Sequence, residues 1–225
     1  MTAEIFYDIP IFPILLSLKV ALLATFFSLI IGLLAARLQA RRRTTFSAFV
    51  DIVCTLPMVL PPTVLGFYLI TLCGRNGILG PILQSMDINL MFSWQGAVIA
   101  ATVVVFPLVY KTARAALEQV DANIENAART LGASELSIFF RISLPLAYKG
   151  ILSGTLLAFA RGMGEFGATL MIAGNIPGKT QTLALAIYDA FQAGSDAKAA
   201  GLVLLTSLIC ALILIIAELC LGERR

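Results

Sequence analysis

Arg161 and Glu165 stand where charge is costly, in the run Ala160–Thr169, ARGMGEFGAT, inside a long apolar stretch. Their i,i+4 spacing puts them on one face of a helix. Ionisable groups at membrane depth usually face a bundle interior or a water path. Gly162, Gly164 and Gly167 thin the helix around them for close packing. The pair reads either as a static structural ion pair or as part of a gate near a subunit interface. A second unusual stretch is Leu56–Gly66, LPMVLPPTVLG. Pro57, Pro61 and Pro62 each lack an N–H, so the carbonyls of Val53, Pro57 and Met58 lose their helical donors. Such a break is tolerated when buried in protein or beside a wet cavity. It suits a kinked packing helix or a bent helix lining a path.

The third stretch is polar. Ala122–Glu135 reads ANIENAARTLGASE, and its alanines with Leu131 favour a helix. Glu125 and Arg129 are spaced i,i+4, and Gly132 would end the helix or admit a partner's backbone. Leu136–Pro145 follows as an amphipathic run. Taken alone, this is either an ordinary surface helix or a handle for a cytosolic partner.

Reactive chemistry has little to work with. The chain has no histidine, and Cys54, Cys73, Cys210 and Cys220 are widely spaced among apolar residues. They read as small buried hydrophobes, with no disulfide or metal site. No paired carboxylates stand at matched spacing, so an enzyme is not expected.

The elements that position these stretches are transmembrane. Apolar residues make up 59% and charged residues 13% of the 225 residues, with a mean hydropathy of +0.93. An ordinary soluble domain has about 45–50% apolar and about 25% charged residues. The surplus must face lipid. Five stretches reach the roughly 20 apolar residues that a span needs. They are Phe12–Ala36, Phe49–Cys73, Ser93–Tyr110, a run from near Leu146 past Glu165 to about Ala173, and Ala199–Leu221. The N-terminus carries Glu4 and Asp8 with no basic residue before Lys19, which does not suit a cleaved signal. Lys19, in the outer part of the first span, is expected to snorkel outward. Gly150 and Gly154 form one small-xxx-small pattern, a weak signal of close helix packing.

Charge sets the orientation. Arg37, Arg41, Arg42, Arg43, Lys111, Arg114, Arg129, Arg141, Lys149, Arg224 and Arg225 fall on one side, against Arg75, Lys179 and Lys198 on the other. The positive-inside rule places the first group in the cytoplasm. The N-terminus is then outside, the C-terminus inside, and the number of spans odd. Gln181–Phe191, after the Pro177–Gly178 turn signal, is too short for a span and is expected outside as a short helix that partly re-enters or caps the bundle.

Asn126-Ala127-Ala128, three residues, Gly132, nine residues, and Ile142-Ser143-Leu144-Pro145 resemble the EAA motif of binding-protein-dependent ABC permeases. That motif reads Glu-Ala-Ala, three residues, Gly, nine residues, Ile, any residue, Leu-Pro. The acidic position is Asn126 here, with Glu125 one residue earlier. The resemblance implies a single permease domain over residues 1–225, all-α, with the five-span type I importer fold. It also implies a cytoplasmic coupling loop at about 115–146, whose short helix docks in a groove of a separate ATPase. Glu125, Asn126, Ala127, Ala128, Arg129, Gly132 and Ala133 are the expected coupling residues. Pro57, Pro61, Pro62, Arg161, Glu165 and Gly167 are the expected pathway or gate residues.

The runs ARGMGEFGAT, LPMVLPPTVLG and AARTLGAS together resemble molybdate-type permeases, with sulfate permeases next. The implied assembly has two copies of this chain in the inner membrane and two ATP-binding subunits below. A periplasmic or tethered binding protein delivers an oxyanion, molybdate or tungstate. ATP and Mg are expected on the partner ATPase, with no cofactor on this chain and no nucleic-acid partner. A secondary transporter is disfavoured, because the chain shows no halves of similar pattern.

Overall fold

The computed structural model describes residues 11–42 and 44–221. Glu4, Asp8, Arg43, Arg224 and Arg225, which entered the topology reading, lie outside the described residues, as does the side chain of Cys220.

The described chain is helical throughout. Its elements are α1 (Ile11–Gln39), α2 (Thr45–Val59), α3 (Pro62–Cys73), α4 (Gly80–Ser85), α5 (Trp94–Glu118), α6 (Ala122–Thr130), α7 (Glu135–Ile138), a π-helical turn (Phe139–Ser143), α8 (Leu144–Met163), α9 (Gly167–Ala173), α10 (Leu183–Gln192) and α11 (Asp196–Leu221). Four helices are long and apolar enough to cross a membrane: α1, α5, the continuous run Glu135–Met163, and α11. The pair α2 and α3, bent by 113°, makes a fifth span if counted as one.

α5 is the centre of the bundle. α1 runs parallel to it, with Ala21, Ala24, Ser28, Gly32 and Ala36 buried along one face at three- and four-residue steps. Small residues let two backbones approach, which supplies the packing contacts that drive association in lipid. A Cβ added at Gly32 would sit 3.2 Å from the Tyr110 backbone nitrogen. The Ser28 hydroxyl donates to the Thr102 carbonyl at 3.1 Å. α8 lies antiparallel on the other side. A Cβ at Gly150 would sit 2.6 Å from Ala116 Cβ, and one at Gly154 would overlap Thr112. The small-xxx-small pattern is therefore the contact of α8 with α5.

Three expectations are corrected. The second span is two helices. Pro57 stays inside α2, but Pro61 and Pro62 in succession offer no N–H, and Leu60 and Pro61 adopt extended backbone with ψ of 141° and 137°. That is the conformation a following proline imposes, and Pro62 then opens α3 as its first residue. The fourth span does not run past Glu165 to Ala173. α8 ends at Met163, and α9 starts afresh at Gly167. The amphipathic run before Pro145 is not separate from that span. Pro145 cannot donate to Arg141, and the π turn widens the helix there, with Leu144 N donating to the Phe139 carbonyl.

α10 is the short helix after the Pro177–Gly178 turn. Its buried face, Leu183, Ala186 and Ala190, packs with Ala21 of α1, Met163 of α8 and Leu202 of α11. Leu183 N donates to the Ser17 hydroxyl at 2.7 Å. Lys19, in the outer part of α1, meets an aromatic ring. Its amine lies 3.4 Å from the centroid of the Trp94 ring, a cation–π contact. Cys54, Cys73 and Cys210 are free thiols.

Candidate functional site

The basic ends of α1 and α5, α6 and the start of the Glu135–Met163 helix meet at one end of the bundle. α6 begins where Asp121 caps it, accepting from Asn123 N at 2.8 Å. It ends in a Schellman turn: Ala133 N donates to the Ala128 carbonyl and Gly132 N to the Arg129 carbonyl, both at 3.0 Å. Gly132 has φ of +80°, so its lack of a Cβ is required by the backbone. A Cβ there would touch nothing within this chain.

Glu125 faces inward. Its carboxylate accepts from Arg41 at 2.7 Å and from the Ser143 hydroxyl at 2.7 Å, and its side chain is 12% exposed. Arg129 is only a long contact at 3.9 Å. Arg41 also donates to the Val120 carbonyl, and holds φ of +63°, the left-handed region that a β-carbon disfavours. Nearby, Arg37 donates to the Glu135 carbonyl at 3.2 Å and lies 4.2 Å over the Phe139 ring. These groups line a polar recess of about 310 Å³. The π turn contributes directly, because it is the source of the Ser143 hydroxyl.

The outer face of α6 is different. Ile124, Ala127 and Leu131 recur at three and four residues and are exposed, Leu131 at 88%. Leu136 just beyond is exposed too. Asn126 is exposed and accepts from Arg129 at 2.8 Å, while Arg129 grips Glu135 at 2.6 and 3.1 Å. The hydrogen bond to Glu135, with its charge, pushes the Arg129 pKa up. Ala128 and Ala133 are half-buried. The seven residues singled out in the loop thus divide into an inward Glu125 and a largely outward remainder. The result is an exposed apolar stripe at a polar end of the bundle.

The proline and glycine residues come together elsewhere, where α3 crosses α9. A Cβ at Gly167 would sit 2.9 Å from Pro62 Cβ, and one at Gly66 would sit 2.5 Å from Met171 Cβ. The two helix breaks are therefore neighbours. Glu165 lies in the second break. Its Oε1 accepts from Ala168 N at 3.0 Å, capping α9, and its Oε2 lies 2.9 Å from Arg161 as an ion contact rather than an aligned hydrogen bond. Glu165 is buried and Arg161 partly exposed. Pro57 lies inside α2, and Pro61 directly precedes α3.

Sequence reasoning missed three features. Asp51 accepts from Tyr110 at 2.9 Å, Lys111 at 2.8 Å and Arg114 at 2.7 Å, tying α2 to α5. An acid inside an apolar run was the available signal. The Arg41–Glu125–Ser143 link had no local signal, since its members are far apart in the chain. The exposure of Leu131 was readable from its position one turn after Ala127 and beside Gly132.

Residues 28–221 match the family described as binding-protein-dependent transport system inner membrane component. The chain belongs to that family. It is 46% identical to the molybdenum transport system permease protein ModB of Escherichia coli over 207 residues, 91% of this chain and 90% of that protein. It is 42% identical to ModB of Haemophilus influenzae, covering 90% of each chain. The sulfate transport system permease protein CysW of Synechococcus elongatus is 37% identical over 79% of this chain and 62% of that protein. The fold is shared with a chain of the MetNI methionine ABC transporter in an inward-facing form, at a TM-score of 0.69 and 17% identity over 93% of both chains. A chain of the bacterial alginate ABC transporter superposes at a TM-score of 0.75 and 14% identity, over 96% of this chain and 80% of that one.

Proposed function

We propose that this permease serves an ATP-driven importer of molybdate or tungstate in the cytoplasmic membrane. Two copies form the path, two separate ATP-binding subunits engage the basic end, and a periplasmic or tethered binding protein delivers the anion at the other. The observation that carries this reading is the exposed apolar stripe on α6, backed by an inward Glu125. Identity of 46% to a molybdenum permease over nearly the whole chain supports the substrate.

The mechanics follow from the contacts. ATP and Mg belong to the partner, and this chain has no cofactor of its own. Closure of the ATPase pair pushes on Ile124, Ala127 and Leu131. Glu125 passes the displacement to α1 through Arg41 and to α8 through Ser143. The displacement reaches the α3–α9 crossing as rigid-body motion. Gly167 lets α9 slide close against Pro62, and Arg161–Glu165 holds the second break in place. In this reading Pro57, Pro61, Pro62, Arg161, Glu165 and Gly167 shape the gate without binding the anion tightly.

Proteoliposomes holding this chain, its ATPase and its binding protein test the proposal. ATP-dependent uptake of labelled molybdate is expected, competed by tungstate but not by excess sulfate. Similarity to a sulfate permease favours a second reading, sulfate or thiosulfate import. Sulfate competition equal to that of tungstate would select it.

A further inference from the structure

A recess of about 380 Å³ opens at the end of the bundle away from Arg37, Arg41 and Arg114. Phe12, Leu15, Leu16, Lys19, Trp94 and the Gly178–Lys179 turn line it. It holds two amines, and neither Lys19 nor Lys179 has a carboxylate partner among the described residues. Lys19 is steered by the Trp94 ring, 3.4 Å from its amine.

The depth of this recess is informative. Lys19 and Arg37 both lie on α1, about five turns apart, which is about 27 Å at 1.5 Å per residue. A bilayer's hydrocarbon core is about 30 Å thick. If Arg37 marks one boundary, Lys19 marks the other. Phospholipid phosphates sit just beyond that boundary, and tryptophan is enriched there. Below Lys19 on the same face of α1, Leu22 and Phe26 are exposed at 58% and 55%. They continue as an apolar track away from the buried α5-facing side.

We infer that this recess binds a membrane phospholipid, its phosphate between Lys19 and Lys179 and one acyl chain along Leu22 and Phe26. The shared chemistry is a tetrahedral oxyanion, which a free phosphate or the transported anion also presents. The apolar track favours the lipid, because acyl carbons lie inward of the phosphate as Leu22 and Phe26 lie inward of Lys19. Leu15 and Leu16, about one turn outward of Lys19, offer a free oxyanion no side-chain donors but suit a glycerol backbone. The amines meet the phosphate's charge, and the ring keeps Lys19 from turning away.

The test is native mass spectrometry of the full-length chain, purified in detergent and supplied with dioleoyl-phosphatidylglycerol. A retained lipid adduct is expected on the unmodified chain and on the Lys198→Met control. It is expected to be lost in the Lys19→Met, Lys179→Met double variant and restored when both lysines are replaced by arginine. The single variants Lys19→Gln and Lys179→Gln, each expected to weaken the adduct, keep the test open if the double variant misfolds. Calorimetry with inorganic phosphate in lipid-free detergent is expected to show no lysine-dependent binding. An adduct that survives in the variants would overturn the proposal. So would phosphate or molybdate binding that depends on Lys19 and resists phosphatidylglycerol, since that marks a free-anion site.

Discussion

The two ends of the proposed drive train are built from opposite materials. At the basic end, charge and hydrogen bonds tie α6, α1, α2, α5 and α8 together through Glu125, Arg41, Ser143, Asp51 and Arg114. At the α3–α9 crossing, Gly66 and Gly167 lie against Met171 and Pro62 within an apolar cluster that includes Leu65, Leu69, Ala168 and Ile172, with one ion contact at its edge. Directional polar links resist bending and transmit displacement. Close apolar contact between broken helices has no such directionality and can slide. The contrast separates a lever from a hinge, and α2 belongs to both. Asp51 anchors its basic end, and prolines interrupt the chain at its other end.

The largest effect should come from filling the hinge. Gly66→Leu must displace Met171, an overpacking strain of about 1–3 kcal/mol. Uptake is expected to fall to background while the chain still inserts, as read by proteoliposome transport and membrane fractionation. Normal uptake would show that this crossing does not move.

Breaking the lever comes next. Arg41→Glu should uncouple the complex, with ATP hydrolysis persisting and uptake strongly reduced. The paired Arg41→Glu, Glu125→Arg exchange should recover part of the uptake. Arg41→Ala alone should cost about 1 kcal/mol of local stability, because Arg41 is a third exposed and Glu125 keeps its Ser143 bond. A double-mutant cycle on the ratio of anion moved to ATP hydrolysed measures the coupling. Additive effects would deny a direct link.

Gly132 gives a middle-sized effect with two separable parts. Ala or Val at φ of +80° should cost about 1–2 kcal/mol in the left-handed region. Asn adopts that region more readily. If Gly132→Asn keeps a stable chain but loses ATPase affinity in pull-down, the partner's backbone lies against this glycine. Equal affinity would mean that Gly132 serves only the turn.

The smallest effect belongs to Glu165→Gln. The amide oxygen can still cap Ala168 N, so α9 stays formed. Loss of the charge opposite Arg161 should change uptake only a few-fold, measured as a shift in transport rate without loss of protein. Complete loss of transport would make the pair part of the lever.

Much of the fold was legible in the sequence. Apolar length located the spans, and Pro61–Pro62 announced a break. The size of that break was not legible, because a proline kink and a 113° turn begin from the same residues. The end of α8 was hidden for a similar reason: ARGMGEFGAT reads as continuous helix, and only the Glu165 cap on Ala168 shows that a new helix starts. The loop motif located α6, but not which way Glu125 points. That depends on Arg41 and on a π turn whose cause, Pro145, looked like a span boundary. Asp51 was readable in type but not in partners, since Tyr110 and Arg114 reach it from a helix about sixty residues away.

In the proposed mechanism α6 is the surface through which an ATPase drives this permease. Leu131→Asp tests it most directly, because Leu131 is 88% exposed and its loss should disturb little inside the chain. Co-purification of the ATPase with the variant should be measured from detergent-solubilised membranes, alongside ATP-dependent uptake. Normal insertion with lost co-purification and lost uptake is the expected result. A variant that retains its ATPase and transports at the unmodified rate would show that the ATPase does not drive the permease through this face of α6.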